Sequence, residues 1–144
     1  MSHVSVYFDR VLLTALGSPK VKRVEQVRRE HDATGRIGFM RYRLTLLNDD
    51  LLELTERVEV QAGEIVVTKY RHHWQNQEGV LIKRWDNAPH YPQVASFPHH
   101  LHDGSEDNVV AHPPVQALQV LHLVVGFVNP LQVVTTYAHV ENMV

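Results

Sequence analysis

The chain contains no cysteine, which excludes a disulfide framework, a thiolate nucleophile and a cysteine-based zinc site. It has no lysine or arginine after Arg84: Trp85 to Val144 carries five acids and no base, whereas the first 84 residues carry fourteen bases against eleven acids, a split of −5 and +3 within a net charge of −2. So small a net charge is unlike the strongly basic composition, with a pI above roughly 9, of many nucleic-acid-binding domains. It leaves room for a basic half that binds an anion and an acidic half that shields it, as well as for chance segregation of charge. Long apolar runs are missing too. The most apolar window, Val115 to Val128, is broken by Gln116, Gln119, His122 and Gly126, and MSHVSVYFDR lacks a basic segment leading into an apolar core. No membrane span and no secretion are expected, and the cytoplasm is the expected compartment.

What is present fits one α+β domain, since 144 residues suffice for a real core without staples. Val4, Tyr7, Phe8, Val11, Leu12 and Ala15 recur with the period of an amphipathic helix, and Gly17-Ser18-Pro19 stops it. Val21 to Glu30 combines helical spacing of its valines with the β-branched content of a first strand, and is read as a strand. From Arg36 the period becomes two, through Met40 to Leu46, Leu52 to Val60, Glu64 to Gln75 and Val80 to Asn87, separated by turn residues. Pro113 and Pro114 open a second helix with an apolar stripe of Val115, Leu118, Leu121, Val125 and Val128. The expected architecture is an antiparallel meander sheet of four to five strands, with an N-terminal and a C-terminal helix packed on one face. The domain is drawn over residues 1–130, with 131–144 as a tail of unknown role.

Parity then divides the sheet into faces, because a slip of one residue sends a strand's apolar set to the wrong side. With Leu47 facing Leu51, Gln61 facing Glu64 and Gln75 facing Val80, one face holds Met40, Tyr42, Leu44, Leu46, Leu52, Leu54, Val58, Val60, Ile65, Val67 and Ile82. Glu56, Lys69 and Asp86 fall in a row at the edge of that core. The opposite face is expected to carry Arg41, Arg43, Arg57, Tyr70, His72, Trp74, Lys83 and Trp85, cations interleaved with aromatics as in surfaces that grip phosphates and stack bases.

The chemistry concentrates between Tyr70 and His102. Six of the eleven histidines lie there, beside both tryptophans, and the loop from Asn87 to Gly104 holds Pro89, Pro92 and Pro98. A loop so long and without regular structure is usually functional or disordered, and its aromatics and histidines argue for function.

Within this stretch RWDNAPHYP is followed by FPHHLH, and upstream stand YFDRVL and LLNDDLLEL. The combination resembles the TumE-type toxins of bacterial and archaeal toxin–antitoxin pairs, over about residues 4 to 128. It departs from that pattern at Tyr91, where a second histidine is expected after Pro89-His90. The resemblance implies a small cytoplasmic toxin whose partner is an antitoxin with a helix-turn-helix DNA-binding module. By analogy with other small toxins, it suggests a ribonuclease.

Metal-independent cleavage of RNA needs a base, an acid and a fixed cation. The catalytic candidates are His72, His90, His99, Arg84 and Asp86, with Arg43, Tyr70, Lys83, Trp85, Asn87, His100 and His102 as substrate-binding candidates and no cofactor assigned. Two alternatives stay open. One is a metal-dependent hydrolase built on the histidine loop, where His99, His100 and His102 with Asp103 would put two imidazoles on one side of an extended segment and His72, His90 and Asp86 could complete a shell for Zn²⁺, Mn²⁺ or Fe²⁺. The other is a non-catalytic, antitoxin-binding or structural loop in which Asp86 and Asn87 cap turns. RNA and a second copy of the chain are further expected partners.

Overall fold

The computed structural model describes residues 3–128. Seven strands form one antiparallel sheet in strictly sequential order: β1 (Val21–His31), β2 (Ile37–Leu46), β3 (Leu51–Gln61), β4 (Glu64–Gln75), β5 (Leu81–Asp86), β6 (His100–Asp103) and β7 (Val109–Ala111). Helices α1 (Val4–Gly17) and α2 (Ala117–Val125) lie against the same face of the sheet. The expected α+β meander is therefore present, with two more strands than the sequence suggests. β6 lies in the histidine loop and β7 just beyond it, and both are too short to carry an alternating apolar signal. No helix among the described residues is long and apolar enough to cross a membrane, and the segment 131–144 lies outside those residues.

The N-terminal helix buries Val4, Tyr7, Phe8, Val11 and Ala15, the face its period marks out. It comes close to the sheet because the second residue of β2 is Gly38, where a Cβ would stand 2.7 Å from Val4 and 2.9 Å from Phe8. The second helix turns inward a face displaced from the expected stripe, of which Leu121 and Val128 are buried. Ala117, Val120, Leu121 and Val124 are buried, while Val115, Leu118 and Val125 only flank the core. A helix apolar almost all round does not reveal its phase by periodicity; polar anchors set it instead. The Ala117 N–H donates to Glu56 at 2.7 Å, and Lys20 Nζ donates to the Val125 carbonyl at the other end at 3.0 Å, where a cation also suits the helix dipole.

Glu56 ties the layers together. It is fully buried in the centre of β3, and besides Ala117 of α2 it accepts from the Tyr7 hydroxyl of α1 at 2.5 Å. His72 Nε2 of β4 lies 3.5 Å away, and His72 Nδ1 accepts from the Thr55 N–H at 3.3 Å, which leaves the ring's hydrogen on the side of Glu56. Burial, followed by the charge of Glu56 beside it, pushes the Tyr7 hydroxyl well above the usual phenol range, so it stays a donor.

One extra residue decides which side chains join this core. The β3–β4 register runs regularly from Gln61↔Glu64 to Val58↔Val67 and then resumes at Arg57↔Lys69, leaving Thr68 unpaired as a bulge. Beyond it the apolar parity of β4 changes from odd to even. Tyr70, His72 and Trp74 are consequently buried under the helices, and Lys69 and Arg71 point to the open face. The expected face of alternating cations and aromatics is thus divided by the sheet: the aromatics lie inside with Lys83 and Trp85, and the cations lie outside. The row of Glu56, Lys69 and Asp86 is divided likewise.

Removing the Glu56 carboxylate would strand a phenol, a backbone N–H and an imidazole in the core. Glu56→Ala is expected to lower the unfolding free energy by about 3–5 kcal/mol in urea denaturation. Glu25→Ala, at a half-exposed ion pair with Arg43, should cost about 1 kcal/mol or less.

Candidate functional site

The β5–β6 pairing sets Asp86 opposite His100 and Arg84 opposite His102 on the open face of the sheet. All four are nearly closed off from solvent, at 6% exposure for Asp86, 1% for His100, 2% for His102 and 8% for Arg84. His100 Nε2 stands 3.0 Å from Asp86 Oδ1, and His102 Nε2 stands 3.4 Å from Asp86 Oδ2. Their other ring nitrogens point to backbone carbonyls, His100 Nδ1 to Pro98 and His102 Nδ1 to Glu106, each at 2.9 Å. A carbonyl only accepts, so Nδ1 carries a hydrogen in both rings, and Nε2 is the atom that each ring turns toward Asp86. The three facing donor atoms lie within 4.8 Å of one another, a set able to hold a metal ion.

Around this cluster the loop folds back. Asp86 Oδ1 accepts from the Ala88 N–H at 3.0 Å, turning the chain away from β5. The Tyr91 ring then lies edge-on against both imidazoles, 4.8 Å from His100 and 5.6 Å from His102 between centroids. Arg84 is engaged from the other side, its two terminal nitrogens on Glu106 and its Nε 3.6 Å from Asp86. That pairing with Glu106 is the main reason the Arg84 guanidinium is held above its usual range and the Glu106 carboxyl below its own.

The cluster forms one end of a cavity of about 390 Å³, within the size range of ligand sites. Its floor is the open face of β2 to β5, and its cations are Arg41, Arg57, Lys69, Arg71 and Arg84. Arg41 is 3.6 Å from Glu53, and Arg57 pairs with Glu59 at 2.9 Å and also donates to Thr68. Lys69 and Arg71 are exposed and make no ion pair or side-chain hydrogen bond among the described residues. Arg71 stands directly across from Asp86. His90 and Tyr91 line the cavity from the loop side.

The residues singled out in the sequence are distributed over both faces. Asp86, Arg84, Asn87, His90, His100 and His102 line the cavity, and Tyr70 borders it. His72 is sealed beneath the helices against Glu56. Tyr70 stacks on His72 and on His99 and shares a 2.8 Å hydrogen bond with His99, and burial, with the charge of Asp86 next, pushes its hydroxyl up to about 12. Trp85 is buried under the helix layer. Lys83 is paired with Asp103 at 2.7 Å, and Arg43 with Glu53 and Glu25. Asn87 continues the ladder after its backbone leaves the sheet: its amide accepts from the Tyr70 N–H at 3.0 Å and donates to the Thr68 carbonyl at 3.1 Å. Lys69, Arg71, Tyr91 and Glu106 were not named from the sequence as site residues. The visible signal for Lys69 and Arg71 was the change of apolar parity between Val67 and Tyr70.

Among the described residues these features define a small α+β protein with both helices on one side of one sheet and a cationic, histidine-ended cavity on the other. A family model described as Toxin TumE matches residues 9–132, and the chain belongs to the TumE toxin family. It is therefore a toxin of the toxin–antitoxin kind, with an antitoxin as partner. No match was found among curated proteins or among solved structures.

Two outcomes follow for the loop and the histidines. Asn87→Ala leaves two backbone groups of β4 without partners and should cost about 1–3 kcal/mol, with hydrogen exchange at Tyr70 accelerated ahead of the rest of β4. His73 and His99 are both held below the usual imidazole value of 6.5, chiefly by burial, with His100 adding to the effect at His99. The unfolded chain takes up these protons more readily, so the stability of the neutral forms is complete above pH 6.5 and declines as pH falls through and below that value. Glu106 adds a second loss below its ordinary value of 4.5. Urea midpoints should decrease from about pH 7.5 to about pH 5, and the slope should flatten in a His73→Gln/His99→Gln variant.

Proposed function

We propose that this toxin is an endoribonuclease whose open sheet face holds the RNA backbone and whose Asp86, His100 and His102 cluster marks the reacting end. The observation that carries the reading is the pair Lys69 and Arg71, exposed cations that make no salt bridge or side-chain hydrogen bond among the described residues, inside a cavity that ends at that cluster. Exposed cations in a concave site attract a polyanion and release its counterions on binding. Arg57, Lys69 and Arg71 lie on neighbouring strands, β3 and β4, and so follow a chain of phosphates across the sheet. Arg84, committed to Glu106, orders the cluster and is a secondary contact.

Cleavage of a phosphodiester by the neighbouring 2′-hydroxyl requires that this hydroxyl lose a proton, that the 5′-oxygen gain one, and that the added charge on phosphorus be balanced. Lys69 and Arg71 supply the charge. His90, exposed at the mouth of the cavity, is placed to exchange protons with solvent, and the edge of Tyr91 offers a surface for a base. His72 and His99 serve the fold beneath the sheet in this reading. The antitoxin partner is proposed to use a helix-turn-helix module, and the described residues are proposed to form one toxin domain.

Purified toxin should cut single-stranded RNA, and its affinity for RNA should fall with salt. Lys69→Gln and Arg71→Gln should each lower the slope of log affinity against log salt by about 1, and together should abolish growth arrest on induction while the thermal transition stays unchanged. Intact RNA in arrested cells would remove the ribonuclease reading.

A further inference from the structure

We infer that Asp86, His100 and His102 form a binding site for one divalent transition-metal ion. The argument begins with an excess of acceptors. Because both Nδ1 hydrogens are committed to the carbonyls of Pro98 and Glu106, the unprotonated rings would present two Nε2 lone pairs beside a carboxylate in a space nearly free of solvent. His100 Nε2 has no hydrogen-bond partner although it lies 3.0 Å from Asp86 Oδ1. Such an arrangement is repulsive unless a positive charge lies within it. Arg84 does not supply that charge in full, since its terminal nitrogens are bound to Glu106 and its Nε is 3.6 Å from Asp86 and unbonded.

A proton or a metal ion can fill the role. A proton on each Nε2 would turn the contacts into ion pairs with Asp86, whereas one metal ion satisfies all three side chains together. Ligands about 2.0–2.2 Å from an ion stand about 2.9–3.5 Å apart in octahedral or tetrahedral geometry; the carboxylate-to-imidazole separations are 3.0 Å to Oδ1 and 3.4 Å to Oδ2, which suits a carboxylate offering both oxygens, and the facing donor atoms lie within 4.8 Å of one another. The backbone carbonyls that hold each Nδ1 hydrogen are the outer partners that orient imidazole ligands on metals. Two imidazoles and one carboxylate, with no thiolate, suit Zn²⁺, Mn²⁺ or Fe²⁺ and leave coordination positions open. Those positions face the cavity that contains Lys69 and Arg71, where water and an anionic ligand such as a phosphate group would complete the shell.

This inference does not depend on RNA being the substrate. It is tested with tag-free full-length protein, dialysed against EDTA and titrated calorimetrically with Zn²⁺ and with Mn²⁺ as chloride salts. The expected result is one equivalent bound per chain and a melting temperature raised by roughly 5–10 °C at saturation. His100→Gln and His102→Gln should each weaken binding by more than about 100-fold, while His99→Ala should not. If the glutamine variants fail to fold, the wild-type protein remains informative: Zn²⁺ should shift the Nε2 resonances of His100 and His102 and of no other described histidine. Absence of one-to-one binding, or shifts confined to other histidines, would overturn the site. A metal-loaded protein that leaves RNA intact would uphold the site and remove only the ribonuclease reading.

Discussion

The bulge at Thr68 is the constraint on which the arrangement depends. Without the extra residue, β4 would continue in register, Tyr70, His72 and Trp74 would face solvent, and Lys69 and Arg71 would be forced under two apolar helices. The bulge is held from both sides: Arg57 and the Thr68 hydroxyl bond across β3, and the Asn87 amide bonds Thr68 and Tyr70 from the β5 side. A local irregularity therefore assigns aromatic rings to the core and cations to the cavity, and it does so with residues that also border the cavity.

A second consequence concerns the histidines, which the sheet sorts into two populations. His72 and His99 belong to a buried polar layer with Tyr70, joined to Glu56 and through it to both helices. His100 and His102 project to the other side, because alternate residues of β6 point away from the helices while Leu101 between them packs in the core. In the first kind, the His72 Nε2 hydrogen points toward Glu56 from 3.5 Å without completing a hydrogen bond. The second kind is left with converging acceptors, a local imbalance that invites a ligand. The proposed function accordingly uses the open face of the sheet.

Much of this was legible in the residues, and what was not has identifiable physical causes. The face of α1 follows from the spacing of Val4, Tyr7, Phe8, Val11 and Ala15. The strand order follows from alternation and turns, and the pairing of His100 with His102 follows from their separation by two in an extended segment. The resemblance carried by RWDNAPHYP and FPHHLH agreed with the family match. The faces of β4 and β5 were misread because parity was carried across Thr68 without allowing for an inserted residue. The inward face of α2 was hidden because its apolar residues encircle the helix and the decisive contact is a backbone N–H to Glu56. Strands β6 and β7 were missed because four and three residues are too short to show a period. Glu106 drew no notice because its partnership with Arg84 spans a hairpin between strands that were not foreseen.

The central claim is that the toxin works through the open face of its sheet while the helix-covered face serves the fold. Backbone amide chemical-shift mapping of the isotope-labelled toxin, titrated with a short single-stranded RNA, tests it most directly. The account predicts shifts concentrated at Arg57, Lys69, Arg71, Asp86 to Tyr91 and His100 to His102, fading as salt is raised. Shifts confined to α1 and α2, or no change at any RNA concentration, would contradict it.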